Sequence, residues 1–284
     1  MRKGLVTLLL LAATTGMAQT EQIVTAQVGP PKVAHYPAPK EKTGLERLAG
    51  QPFLITNEGQ YGKTENFINI QEGTTFAFKR EGKYVYFITN DHVVKPVPLV
   101  FKSERLEKSI DLTPKKMLYG IFDNGVEYGL KGRACVLYTD KTLDIAVLYG
   151  EIDGASITPV KPLRRKLRLG EQVYMIGYPK AALQTVVSGY VASRATLAKE
   201  GDKWPIPGYQ VNILNDTGVS GSGIFVKEGE EFYWAGIAQA TTGDGGTLQI
   251  VPVEMFYDMI NSISPNGCCD ENGTIVVPEE EPKQ

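Results

Sequence analysis

The chain has 284 residues, 42% of them hydrophobic and 22% charged, with a formal net charge of −2. That balance is long enough and apolar enough for one two-lobed domain or two small ones, and it lacks the basic surface that nucleic-acid binding needs. Thirty glycines and seventeen prolines suit a fold of many strands and turns.

Residues 1–18 read as a signal peptide: Arg2 and Lys3 give a positive start, Leu5 to Ala13 an apolar core, and Gly16-Met17-Ala18 a small-residue cleavage site. The apolar run is too short to span a bilayer comfortably, so cleavage near Ala18, export, and a bacterial source are expected, with a secreted or periplasmic location. Residues 19–48 read as a mobile arm, proline-bearing at Pro30-Pro31, Pro37 and Pro39, expected to end in a short helix from Thr43 to Leu48.

Strand-like runs follow at Asn66 to Ile70, Thr74 to Lys79, Tyr84 to Thr89 and Pro98 to Lys102. The charged stretch Ser103 to Lys116 reads as a surface loop. Met117 to Phe122, Val126 to Leu130 and Arg133 to Tyr138 read as hairpins, with Asp123-Asn124-Gly125 as a tight turn. A six-stranded barrel over 49–150, closing near Gly150, is expected. Residues 151–163 connect it to a second lobe, 164–263, which opens with the basic cluster Arg164-Arg165-Lys166-Leu167-Arg168, a solvated edge or loop rather than an anion site. Strands are expected at Gln172 to Gly177, Thr185 to Ser193, Tyr209 to Leu214, Gly223 to Val226, Phe232 to Ala240 and Thr247 to Val251. Met255, Phe256, Met259 and Ile260 carry helical spacing within Val253 to Ile263, and 264–284 read as a loose acidic tail. Cys135, Cys268 and Cys269 leave at least one thiol unpaired within the chain, with Cys135 read as simply buried. No metal site is expected, because two distant histidines supply too few ligands.

Three polar residues interrupt these runs where chemistry is plausible. Ser220 stands between glycines in Gly218-Val219-Ser220-Gly221-Ser222-Gly223, where the amides of Gly218 and Ser220 can point at one spot as an oxyanion hole requires. His92 follows a β-forming run in Thr89-Asn90-Asp91-His92-Val93-Val94. The other histidine, His35, lies in an irregular proline-rich segment. Asp144 opens the apolar run Leu143-Asp144-Ile145-Ala146-Val147-Leu148, entering a partly buried place where a carboxylate needs a polar partner.

Together these motifs resemble the chymotrypsin-like serine proteases, most closely the HtrA-type branch, with its T-N-x-H-V-[VI], S-D-[LI]-A-V-L and G-[ND]-S-G-[GS]-P. A fourth match is independent of them: Gly170 to Pro179 followed by Gln184 to Val191 is similar to G-x-x-V-x-x-I-G-x-P … Q-T-V-T-x-G-x-V. The resemblance covers roughly residues 49–263. Gly223 stands where the family has proline, the 52-residue interval from His92 to Asp144 implies an insertion, and no PDZ domain is expected after residue 263.

The resemblance implies an all-β, chymotrypsin-like double six-stranded antiparallel barrel with a C-terminal helix. It implies a serine endopeptidase that uses no cofactor and acts on protein or peptide substrates. His92, Asp144 and Ser220 become the catalytic triad, Gly218 and Ser220 the oxyanion hole, and Leu214, Gln239, Ala240, Thr241 and Thr247 the substrate-binding positions. Val219 occupies the place of the aspartate that trypsin-type zymogens use for activation, so no such switch is expected. The uncharged pocket positions predict small to medium apolar P1 residues. Two rivals stand beside this reading. One is a catalytically idle barrel that binds peptides or envelope components. The other, an α/β-hydrolase, fails on G-x-S-x-G and on the chain order of its acid and histidine.

Overall fold

The computed structural model describes residues 44, 48, 52–61, 66–103, 108–123, 126–127, 134–151, 157–181, 184–197, 206–213, 218–241, 247–264 and 275–276. The expected signal peptide, most of the arm with His35, Leu214, Cys268 and Cys269 lie outside these residues. Gly44 and Leu48 are helical, as expected for the end of the arm.

The first lobe contains β1 (Pro52–Tyr61), β2 (Phe67–Glu81), β3 (Tyr84–Thr89), a one-turn helix α1 (Asp91–Val94), β4 (Leu99–Ser103), β5 (Lys108–Leu112), β6 (Pro114–Asp123), β7 (Val126–Glu127), β8 (Cys135–Asp140) and β9 (Ile145–Glu151). Antiparallel pairing runs β6-β1-β2-β3-β9-β8. Ala134, just before β8, then bridges back to Tyr119 of β6, with its N–H donating to the Tyr119 carbonyl at 3.0 Å. The six strands thus meet in a ring held at one pinch point, and the expected barrel is a half-open one.

Side-chain alternation explains why Tyr84 to Thr89 is a continuous apolar run. Val85 and Phe87 point into the first-lobe core with Phe53, Ile55, Ala77 and Leu148. Tyr86 and Ile88 point the other way, into a core shared with the second lobe. On β9, Ala146 and Leu148 face the first core while Ile145 and Val147 face the second. These two central strands are buried on both faces, which removes any need for polar residues on alternate positions.

The second lobe is a closed barrel in the order β10 (Gln172–Gly177), β11 (Thr185–Leu197), β12 (Ile206–Asn212), β15 (Thr247–Pro252), β14 (Glu231–Thr241), β13 (Gly223–Glu228). Its centre is Trp234, fully buried, edge-on to Phe76 at 5.0 Å and beside Phe256 at 5.5 Å. The indole N–H donates to the Gly236 carbonyl at 2.8 Å, satisfying the ring's one polar atom. The basic cluster is a loop in which the charges of Arg164 and Arg165 are answered locally. Arg165 bonds Glu171 and Glu228, and the Arg164 guanidinium lies 4.8 Å over the Tyr257 ring.

Several elements differ from expectation. Asn66 to Ile70 and Thr74 to Lys79 form one strand, β2. The run Asn57-Glu58-Gly59-Gln60 hides β1, a strand that pairing with β2 and β6 imposes on residues of weak β-propensity. Within the stretch expected to be a surface loop, Ser103 to Lys116, the described residues are largely strand: β5 pairs with β4 as a separate two-stranded sheet, and β6 starts at Pro114. The last helix is broken into a 3₁₀ turn, Val253–Met255, and α2 (Tyr257–Asn261), because Phe256, buried against Trp234, leaves helical geometry at φ −140°. The tail expected to be loose contributes β16 (Ile275–Val276), which pairs with Met117 and Lys116 on the open edge of β6. Cys135 is disulfide-bonded rather than simply buried, and the only other cysteines in the chain are Cys268 and Cys269.

Candidate active site

Asn90 ends β3 in an extended conformation and starts α1, so His92 sits on a helical turn rather than at a strand end. The other partner comes from the β8–β9 turn. There Asp140 Oδ1 accepts the N–H groups of Thr142 and Leu143 at 2.8 and 2.9 Å, a side-chain mimic of a backbone turn. The turn closes at Asp144, which takes a left-handed φ of 53°, a conformation aspartate tolerates better than most residues. Asn90 Nδ2 donates to the Asp144 carbonyl at 2.8 Å, tying the turn to the helix.

The two side chains meet there. His92 Nδ1 lies 2.8 Å from Asp144 Oδ2, and the His92 backbone N–H donates to Asp144 Oδ1 at 3.0 Å. Asp144 is 2% exposed. His92 engages both of its oxygens, one through the main chain and one through the ring, which sets the carboxylate plane. With a carboxylate at Nδ1, the neutral ring carries its proton there and turns its Nε2 lone pair outward. The ring retains access to solvent, at 36% side-chain exposure.

The carbonyls at the end of α1, which so short a helix cannot satisfy internally, and those of the segment just after it are collected by the first lobe. Asn57 Nδ2 donates to Val93 O and Lys95 O at 3.0 and 3.1 Å, Tyr119 Oη to Val94 O at 2.7 Å, and Tyr61 Oη to Val97 O at 2.6 Å. Burial, and then the nearby Asp91 carboxylate, push the Tyr119 phenol well above its ordinary range. Asp91 itself is buried and paired with Lys95 at 2.5 Å.

The Ser220 loop enters from the second lobe, with Gly218 at φ 87° and Gly221 at φ 83°. It is clamped from two sides. From β2, Thr74 N–H donates to the Ser220 carbonyl at 2.8 Å. From β14, Ala238 N–H donates to the Ser222 carbonyl at 2.9 Å and Ala238 O accepts from Gly221 N–H at 3.4 Å. A Cβ on Gly73 would stand 2.9 Å from Val93 Cγ1 and 3.2 Å from Ser220 O, so the serine loop and the histidine helix converge over that glycine. Val219 is buried at 5% within the shared core.

Of the expected substrate positions, Gln239, Ala240 and Thr241 lie on β14 and Thr247 begins β15. Gln239 is 7% exposed and sits at a register shift, since β15 pairs with Ala238 and then Ala240. Leu214 lies outside the described residues. Sequence reading missed Thr74, Asn57, Asp140 and Tyr119, and placed Asn90 only within the T-N-x-H motif. Only Asp140, two residues before Thr142 in a turn-like Asp-Lys-Thr, carried a local signal. No metal-binding cluster of His, Cys, Asp or Glu occurs among the described residues, and none of their helices is long and apolar enough to cross a membrane.

A sequence-family profile described as Trypsin-like peptidase domain matches residues 73–232. No curated protein matches the chain by sequence. Among solved structures, the Rv3671c protease of M. tuberculosis in its active form aligns with a TM-score of 0.53 at 17% identity, covering 76% of this chain and 83% of that one. An inactive form of the same protease gives 0.53 at 16% identity, over 77% and 92%. The closed barrel, the pinched one beside it and the profile spanning His92 to Ser220 agree: the chain belongs to the trypsin-like peptidase family, in a chymotrypsin-like double barrel.

Proposed function

We propose that this peptidase is a serine endopeptidase, exported to the periplasm or beyond, that cleaves protein chains through an acyl-enzyme. The observation that carries the reading is the His92 Nδ1–Asp144 Oδ2 hydrogen bond at 2.8 Å, with Asp144 nearly excluded from water. Ser220 Oγ attacks the scissile carbonyl carbon while His92 Nε2 takes the hydroxyl proton. Asp144 keeps the ring oriented and stabilises the imidazolium. The carbonyl oxygen becomes an oxyanion held by the Gly218 and Ser220 amides. The amine then leaves with the proton from Nε2, and a water, deprotonated by the same nitrogen, frees the acid and Ser220.

Gln239 and Thr247, at the expected pocket positions, carry no charge, which supports apolar P1 residues such as Val, Ala, Ile or Leu. Discrimination among them is shallow, since one methylene in an apolar pocket is worth about 1–3 kcal/mol. Val219, buried in the core, leaves no place for a trypsin-like activating ion pair.

The test is digestion of denatured protein by wild type, Ser220→Ala and His92→Ala, with cut sites sequenced. Cleavage after apolar residues by wild type alone is expected. A folded wild type that cuts nothing supports the idle barrel, and a strong preference for Arg, Lys, Asp or Glu at P1 refutes the pocket assignment.

A further inference from the structure

The oxyanion-loop residue Gly218 is touched by one side chain of the opposite lobe. Thr74, fully buried on β2, lies with its Oγ1 3.2 Å from the Gly218 carbonyl. The same Oγ1 accepts the Tyr178 backbone N–H at 2.9 Å. That second contact decides the direction of the first. With a lone pair of Oγ1 engaged by the Tyr178 amide, the hydroxyl proton is free to go to the Gly218 carbonyl, which can only accept. The result is a directed relay, Tyr178 N–H to Thr74 Oγ1–H to Gly218 C=O, crossing from β10's end through the first lobe to the serine loop.

Thr74 reaches that loop at two points: its N–H holds the Ser220 carbonyl at 2.8 Å, and its hydroxyl holds the Gly218 carbonyl. Its own carbonyl is fixed by Thr89 Oγ1 at 2.8 Å, so the clamp is anchored behind. Fixing the carbonyls of residues 218 and 220 fixes the 218–219 and 220–221 peptide planes, of which the first adjoins the Gly218 Cα and the two together flank the 219–220 plane that carries the Ser220 amide. Those planes help set the directions of the Gly218 and Ser220 amides. We infer that Thr74 is a positioning residue whose hydroxyl aims the oxyanion-hole amides, an inference that rests on the serine-protease reading above.

Thr74→Val keeps the shape and removes only the hydroxyl, whereas Thr74→Ser keeps the hydroxyl and removes only the methyl. Removing one oxyanion donor outright costs on the order of 10²–10³ in turnover, so a donor left in place but misaimed in Thr74→Val is expected to cost about 10- to 100-fold. That loss belongs in kcat, with KM changed less than about 2-fold, because the oxyanion forms only in the transition state. A peptide boronic acid, which forms a tetrahedral adduct on the serine, is expected to lose affinity in parallel with kcat. Thr74→Ser is expected to recover both to within about 3-fold of wild type. Turnover in Thr74→Val equal to wild type overturns the inference, and so does a Thr74→Ser variant as impaired as Thr74→Val, which would assign the effect to packing.

A measurement without turnover separates this inference from the parent reading. In ¹⁵N-labelled protein, the Gly218 and Ser220 amide resonances are expected to move in Thr74→Val and return in Thr74→Ser. Unmoved amides overturn the positioning role even in an active enzyme. If wild type proves inert and the amides do shift, the serine-protease reading fails while the clamp stands.

Discussion

Replacing Gly221 by alanine tests how closely the two lobes approach at the serine. A Cβ there would lie 2.0 Å from the Thr74 carbonyl oxygen and 2.3 Å from Thr89 Oγ1, where ordinary contact begins at 3.4 Å. Neither neighbour is the loose end of a long side chain, so β2 and the loop must separate by more than 1 Å. Separation breaks the Thr74–Ser220 backbone bond and disturbs the Thr89–Thr74 bond, both 2.8 Å and buried. Leaving such groups unsatisfied costs about 1–3 kcal/mol each, and alanine at φ 83° costs about 1–2 kcal/mol more. The expected loss is about 3–8 kcal/mol, a large share of the ~5–15 kcal/mol that holds a domain together. Gly229→Ala is the control: its φ is 61°, but nothing lies within 4 Å of its Cβ position, so only the conformational cost applies. Urea unfolding followed by fluorescence measures both variants, and peptide turnover measures the serine loop. Gly221→Ala within about 1 kcal/mol of Gly229→Ala, or with wild-type turnover, refutes the close-approach argument.

Ser222→Ala should keep turnover near wild type and leave stability unchanged or slightly raised, because the Ser222 hydroxyl is fully buried and makes no hydrogen bond; kinetics and urea midpoints check this. Asn57→Asp is isosteric but turns both donors toward Val93 O and Lys95 O into acceptors. Loss of about 10-fold or more in kcat is expected, with a shift of the low-field His92 Nδ1–H proton resonance, while an unmoved resonance would leave Asn57 a purely structural role. Glu171 is opposed by burial, yet hydrogen bonds from Arg165 and the Arg168 amide hold its carboxyl below the ordinary range. A lowered folded value means the stabilisation is present above the unfolded value of about 4.3 and is lost as pH falls through the folded one. Glu171→Gln should therefore cost about 1–3 kcal/mol at pH 7, and the gap from wild type should close below about pH 4 in urea titrations. A gap independent of pH would show that Glu171 acts through packing.

What the sequence determined by itself was local and chemical. The Ser220 loop needs glycines at 218 and 221 for positive φ, and those residues are legible wherever they occur. β3, β10 and the hydrophobic periods of the second lobe follow from patterning that each strand carries alone. The pairing of His92 with Asp144 was legible only because three motifs occurred in one order. What the tertiary structure decided was everything whose partner lies far along the chain. β1 is a strand because β2 and β6 flank it, despite Asn57-Glu58-Gly59-Gln60. Phe256 breaks the final helix because Trp234 claims its ring. Asn57, Tyr119 and Thr74 hold the site across 36, 25 and 144 residues of sequence. A side chain that satisfies a distant carbonyl leaves no periodicity behind it: the bond depends on two backbones meeting, and only the packed barrels bring them together.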